Sequence, residues 1–296
     1  MFISTPPSAL IPRQSLPLAP GLDLAYREWG KTGEPVILLH GLADHGGVWS
    51  SLAQRLAPHY HCIAPDLRGH GESSKPEDPA AYSFAAMVGD LQALLAALGE
   101  SSVHLVGHSW GAKVACVWAT ECPAQVKSLT LVDPFLIQQL PDWVGLTFPL
   151  LYRTLPFLQL LGPFLSEEEA IAKAKTLKQY REWTPFQSAV FREGMEAKPD
   201  GQWGSKFTIA ARNGIFQEVI KVAGLRRSLT LPSLLLQPTA GVNRTAWQLA
   251  PYHRYLSSLD HRVIPGHHWA FLSDPERCET EIFTFLEQQR NPGTNF

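Results

Sequence analysis

Short runs of branched, apolar residues recur along this chain, and longer stretches with helical spacing separate them. Val36–His40 (VILLH), His61–Ala64 (HCIA), Val103–Gly107 (VHLVG), Ser128–Val132 (SLTLV) and Ser233–Gln237 (SLLLQ) are the first five, and His261–Pro265 is a sixth. Unbroken apolarity over so few residues suits a strand buried on both faces, as in a parallel sheet. Helices are expected at Val48–Ala57, Tyr82–Leu98, Trp110–Glu121, Thr245–Ser258 and near Pro275–Gln289. Strand and helix in turn imply right-handed βαβ units, hence an α/β fold with a mostly parallel, doubly wound sheet. Leu22–Trp29 is expected to add an antiparallel edge strand ahead of them.

One stretch breaks this rhythm. Residues 134–228 are helical in pattern, rich in proline and aromatics, and contain no buried-strand run. They read as a mostly helical cap inserted between two parts of one core, residues 1–133 and 229–296. Within the cap, Trp143–Leu165 carries Arg153 as its only charge. A membrane span needs about 20 apolar residues, but Pro149, Pro156 and Pro163 interrupt any continuous helix here. The expectation is helices packed on the core, with a greasy mouth for hydrophobic substrates as the alternative and membrane contact not expected.

Composition narrows the function classes. With 25 Lys and Arg against 27 Asp and Glu, the net charge is −2. That balance offers no basic footprint for nucleic acid and no polybasic stripe for anionic lipid. The 296 residues can bury a large core without disulfide or metal staples. Cys62, Cys116, Cys122 and Cys278 form no C-x-x-C pair, which suits free thiols in a reducing compartment. The N-terminus lacks an apolar run behind a basic start, so no signal peptide is read and a cytoplasmic location is expected. Neither a glycine-rich phosphate loop nor a metal-ligand cluster occurs, and no cofactor or metal is expected.

The most specific local signal is Gly107-His108-Ser109-Trp110-Gly111, set between the run VHLVG and a helix-forming stretch. A serine hydroxyl is a weak nucleophile until it is aimed and deprotonated. A tight strand-to-helix turn lifts its oxygen above the sheet, and small residues at 107 and 111 leave room for the adjoining strand and helix. The helix start also points free N–H groups toward developing negative charge.

With these residues the chain resembles the α/β-hydrolase fold family over nearly its whole length outside the cap. His40-Gly41-Leu42 resembles the family's oxyanion loop, and Asp66-Leu67-Arg68-Gly69-His70-Gly71-Glu72-Ser73 its D-x-R-G-x-G-x-S loop. Ile264-Pro265-Gly266-His267-His268-Trp269, followed by Asp274-Pro275-Glu276, resembles the stretch that carries the catalytic histidine. Members that cleave carbon–halogen bonds or epoxides use aspartate as nucleophile, so Ser109 argues against both. The resemblance implies backbone oxyanion donors at Leu42 and Trp110. Two adjacent histidines compete as base; the family's G-H-W pattern favours His268 and leaves His267 as the rival. Asp66, Arg68 and Ser73 are expected to brace a loop, and His40, His70 and His108 to play structural parts.

The acid departs from the family's usual pattern. Most members carry it in the loop after the seventh strand, but no Asp or Glu occurs from Ser228 through Leu259. Some relatives carry it after the sixth strand, where Asp133 ends the run SLTLV. Asp133 is therefore the expected partner of the histidine. The alternatives are that it only turns the chain into Pro134, or that Asn243 or nothing orients the imidazole; Asp260 comes too early. Trp110 and Trp49 are expected to line the substrate pocket, with Asp44 as another candidate in the same loop.

The function these features imply is a serine hydrolase with a Ser109-His268-Asp133 triad. It would cleave a small ester or thioester with a hydrophobic moiety through an acyl-enzyme. A carbon–carbon bond hydrolase with the same triad is one alternative. A slow or non-catalytic small-molecule receptor on the same fold is the other, favoured by the empty acid position.

Overall fold

The computed structural model describes residues 10–290. The N-terminal stretch read for a leader starts in residues 1–9, outside the described residues. Ten strands are present among the described residues: β1 (Gln14–Ala19), β2 (Leu22–Trp29), β3 (Glu34–Leu39), β4 (Tyr60–Pro65), β5 (Val103–His108), β6 (Val126–Val132), β7 (Met195–Ala197), β8 (Trp203–Ser205), β9 (Ser233–Ala240) and β10 (Leu259–His267). Eight of them form one sheet in the order β1-β2-β4-β3-β5-β6-β9-β10. From β4 to β10 all neighbours run parallel, and β2 lies antiparallel to β1 and to β4. Each of the six apolar runs lies in a parallel strand of this sheet.

Helices α1 (Ser50–Leu56), α2 (Phe84–Ala97) and α3 (Ser109–Glu121) follow β3, β4 and β5, and α8 (Ala246–Tyr255) and α10 (Pro275–Arg290) close the core. Between β6 and β9 lie α4 (Phe148–Thr154), α5 (Glu167–Ala174), α6 (Pro185–Glu193) and α7 (Ile209–Lys221), and α9 (Ala270–Ser273) precedes α10. Local chemistry marks their starts. The side chains of Ser83, Ser166, Thr184, Thr208 and Thr245 each accept an amide N–H in the first turn. Thr184 and Thr245 do so within capping boxes.

The strands bury both faces. Ile37, Leu39, Leu105, Leu129 and Leu131 join one apolar cluster with α2, α3 and α7. Their neighbours Val36, Leu38, Val106 and Val132 join another with α1 and α10. Strand alternation thus divides each apolar run between two layers of helix.

Two expectations need correction. Leu22–Trp29 is antiparallel but does not form the edge, because β1 pairs along it and takes that place. Leu16 and Leu18 of β1 alternate onto the core, and Pro17 is tolerated there because an outermost strand has a ladder side without a partner. The segment between β6 and β9, expected to be mostly helical, also contains a short β-hairpin, β7 with β8, that the sequence reading did not mark. Trp143–Leu165 breaks into short helical pieces, and among the described residues no helix is long and apolar enough to cross a membrane.

Candidate active site

Three side chains far apart in sequence meet at the C-terminal ends of β5, β6 and β10, with β9 lying between the last two. His268, just past β10, lies with Nε2 2.9 Å from the Ser109 Oγ and Nδ1 2.7 Å from the Asp133 Oδ2. A carboxylate can only accept, so Nδ1 carries the proton and Nε2 is free to accept from the serine hydroxyl. Ser109 opens α3 with φ of 52°, and Asp133, the residue after β6, has φ of 40°. Both occupy the left-handed region, which costs a non-glycine residue about 1–2 kcal/mol.

The glycines around Ser109 are sterically required. A Cβ at Gly107 would sit 2.6 Å from Ala112 Cα, and one at Gly111 2.3 Å from the His40 carbonyl oxygen. One at Gly41 would meet the His108 ring at 2.7 Å. The start of α3, the loop after β3 and the serine turn therefore lie too close together for a Cβ between them.

The loop after β9, which lacks an acid, cradles the one on β6. Val242 N–H donates to Asp133 Oδ2 at 2.8 Å, and Asn243 donates to Oδ1 from its backbone at 3.2 Å and its side chain at 2.9 Å. With His268, four N–H donors converge on the carboxylate, which is fully buried. Gly241 leaves the space, since a Cβ there would lie 2.4 Å from Oδ2. Asn243, the rival orienter of the histidine, instead holds the acid that faces it. This cradle was not expected from sequence; the small residue at 241 beside Asn243 was its only signal.

His40 shapes the loop after β3. Its Nε2 accepts from Leu67 N–H at 2.9 Å, so Nδ1 is the protonated nitrogen and donates to the Gly41 carbonyl at 2.7 Å. Burial pushes its pKa down to about 4, in keeping with a neutral ring. Asp44 N–H donates to the same carbonyl at 3.3 Å. In a planar trans peptide the N–H points opposite the C=O, so Leu42 N–H is turned away from these partners. Trp110 N–H lies in the first turn of α3, where no intrahelical acceptor exists.

The other histidines have defined posts. His108 donates from Nε2 to the His268 carbonyl at 2.8 Å, and its burial beside His268 holds its pKa well below the usual value. His267 accepts from Trp269 N–H at 3.2 Å and is not part of the Ser109 contact. Asp260 pairs with Arg262 at the start of β10. Asp66 accepts from Gly46 N–H at 2.7 Å and Glu72 N–H at 2.9 Å, Ser73 hydrogen-bonds its carbonyl, and Arg68 forks onto Asp90.

Two expected pocket residues lie elsewhere. Trp49 is 1% exposed and stacks on Phe271 at 4.7 Å, because the apolar helix start at 48–52 packs into the core under α10. The Trp110 indole is 2% exposed and stacks on His70 at 5.4 Å, so it offers no open face to a ligand.

An eight-stranded, mostly parallel sheet with a sharp strand-to-helix turn after β5 is the architecture of the α/β hydrolases. The chain belongs to the alpha/beta hydrolase fold family, whose model matches residues 34–275. It is similar to lipase LipV of Mycobacterium tuberculosis, 31% identical over 82% of this chain and 86% of the lipase. Over shorter stretches it resembles a haloalkane dehalogenase of Bradyrhizobium diazoefficiens, 37% identical over 42% of this chain, and lipase 1 of Psychrobacter immobilis, 42% identical over 40% of this chain. Those matches span 39% and 38% of the respective relatives' lengths. Among solved structures, E-2-(acetamidomethylene)succinate hydrolase superposes with a TM-score of 0.75 at 22% identity, covering 93% of this chain and 98% of that one.

Proposed function

We propose that this hydrolase cleaves an ester or thioester with a hydrophobic moiety by a two-step serine mechanism. The observation that carries this reading is His268 bridging Ser109 and Asp133 at 2.9 and 2.7 Å. In the first step His268 Nε2 takes the Ser109 proton as the oxygen attacks the carbonyl carbon. The resulting imidazolium is stabilised by the Asp133 carboxylate, and the oxyanion receives Leu42 and Trp110 N–H. His268 then protonates the leaving alcohol or thiol. Water, deprotonated by the same imidazole, releases the acid and restores Ser109.

A serine in the nucleophile position speaks against the dehalogenase relative's chemistry and for that of the lipases. The relation to LipV over most of both chains supports an ester substrate. In this reading residues 134–228 form the cap over the site; Phe157 from that segment meets Trp269 edge to face at 5.7 Å. A fluorophosphonate probe is expected to label the wild type covalently and to leave Ser109→Ala unlabelled. A wild type that stays unlabelled and turns over no ester would overturn the proposal and favour a receptor.

A further inference from the structure

A small cavity of about 30 Å³ lies beside the oxyanion loop, bounded by Leu42, Phe157 and Trp269. On this scale a water needs about 10–15 Å³, so the space suits a small polar group and not a long chain. Leu42 carries the proposed oxyanion amide and Trp269 follows His268, which makes the cavity an immediate neighbour of the reacting centre.

Its polar lining includes Asp44, Gln179 and Tyr180. The Asp44 Oδ2 is closed off from water and has no hydrogen-bond partner. His45 cannot serve it: Nε2 donates to the Val190 carbonyl at 2.9 Å and Nδ1 accepts from Gly47 N–H at 3.1 Å. Burial pushes the Asp44 carboxyl up to about 7, with the nearby Trp269 side chain acting in the opposite sense. An unpaired, buried acceptor next to a reaction centre is a place for a ligand donor.

We propose that this cavity receives a hydroxyl group of the ester substrate and that Asp44 is the specificity-determining residue that binds it. A hydroxyl both donates and accepts, so it pairs with the carboxylate and with the carboxylic acid alike. The inference rests on the ester-hydrolase reading above.

Two matched pairs test it: methyl 3-hydroxybutyrate against methyl butyrate, and 2-hydroxyethyl butyrate against propyl butyrate. They place the hydroxyl on the acyl and alcohol sides respectively. In the wild type, kcat/KM for the hydroxylated member of one pair is expected to exceed its partner by about tenfold or more. In Asp44→Leu that ratio should fall to about one, and Asp44→Asn, which keeps a polar partner, should retain part of it. Ratios are taken on protein counted by fluorophosphonate titration, so lost folding does not mimic lost preference. Wild-type ratios near one in both pairs, with all esters hydrolysed, overturn this inference alone. An unchanged preference in Asp44→Leu does the same. Failure to hydrolyse any ester or to take the probe overturns the hydrolase reading and the inference together.

Discussion

Asp133 shows how much a single side chain depends on residues more than a hundred positions away. Its fully buried carboxylate takes its hydrogen bonds from the amides of Val242 and Asn243, the pairing that a buried polar group requires. Asp133→Asn is expected to lower kcat by orders of magnitude, about 10⁴-fold where a triad acid is amidated, with an unchanged circular dichroism spectrum. Near-normal turnover would move the orienting role off this residue. Asn243→Ala removes one of the three loop donors, and kcat/KM should fall by roughly ten- to a hundredfold, in line with about 1.5–3 kcal/mol for a bond to a charged group. Steady-state kinetics on one ester distinguish the two, because Asn243→Ala leaves His268 with its carboxylate.

At the scale of elements, the site is a meeting of turns set by backbone contact. Gly111 lets α3 start against β3, so Gly111→Ala should lower both melting temperature and activity as the helix is pushed from the His40 carbonyl. Trp49→Ala addresses a different element pair. With its ring stacked on Phe271 in the core, its loss should cost about 3–5 kcal/mol in denaturant unfolding while leaving ester selectivity among survivors intact. A selectivity change without destabilisation would return Trp49 to the pocket wall.

Across the whole molecule, charge ties the segment between β6 and β9 to the sheet. Glu193 on α6 pairs with Arg13 at 2.7 Å and with Arg27, and Lys206 pairs with Glu72 at 2.5 Å. Arg27 is 2% exposed, and burial lowers its pKa to about 10. Glu193→Gln takes a charged partner from both arginines while Arg27 keeps Asp66 at 3.9 Å, so it should destabilise by about 1.5–3 kcal/mol. Cleavage between β6 and β9 should come first in limited proteolysis of that variant. Buried Glu279 gives a pH signature, since burial raises its carboxyl from 4.5 to about 7. The folded state then holds a proton that the unfolded chain releases. Its contribution is full below about pH 4.5 and is lost as pH rises through about 7. Thermal melts of Glu279→Gln should match the wild type near pH 4.5 and exceed it near pH 8.

Periodicity alone made the six parallel strands and their helices legible, because a strand buried on both faces must be apolar throughout. The glycines flanking Ser109 were legible for a related reason: backbone approach leaves no room for a Cβ, whatever the fold around it. The edge strand β1 was not, since a half-exposed strand broken by Pro17 carries little apolar signal. The hairpin of β7 and β8 was lost to its three-residue strands. Trp49 and Trp110 misled because an aromatic near a motif packs as readily into a core as onto a pocket wall. Ser109, Asp133 and His268 could be named as candidates from the text, yet their meeting depends on how β5, β6 and β10 are ordered and how far each extends. That order, with the cradle at Gly241–Asn243 and the orphan oxygen of Asp44, belongs to tertiary structure, because hydrogen bonds between distant residues leave no periodic trace in the chain.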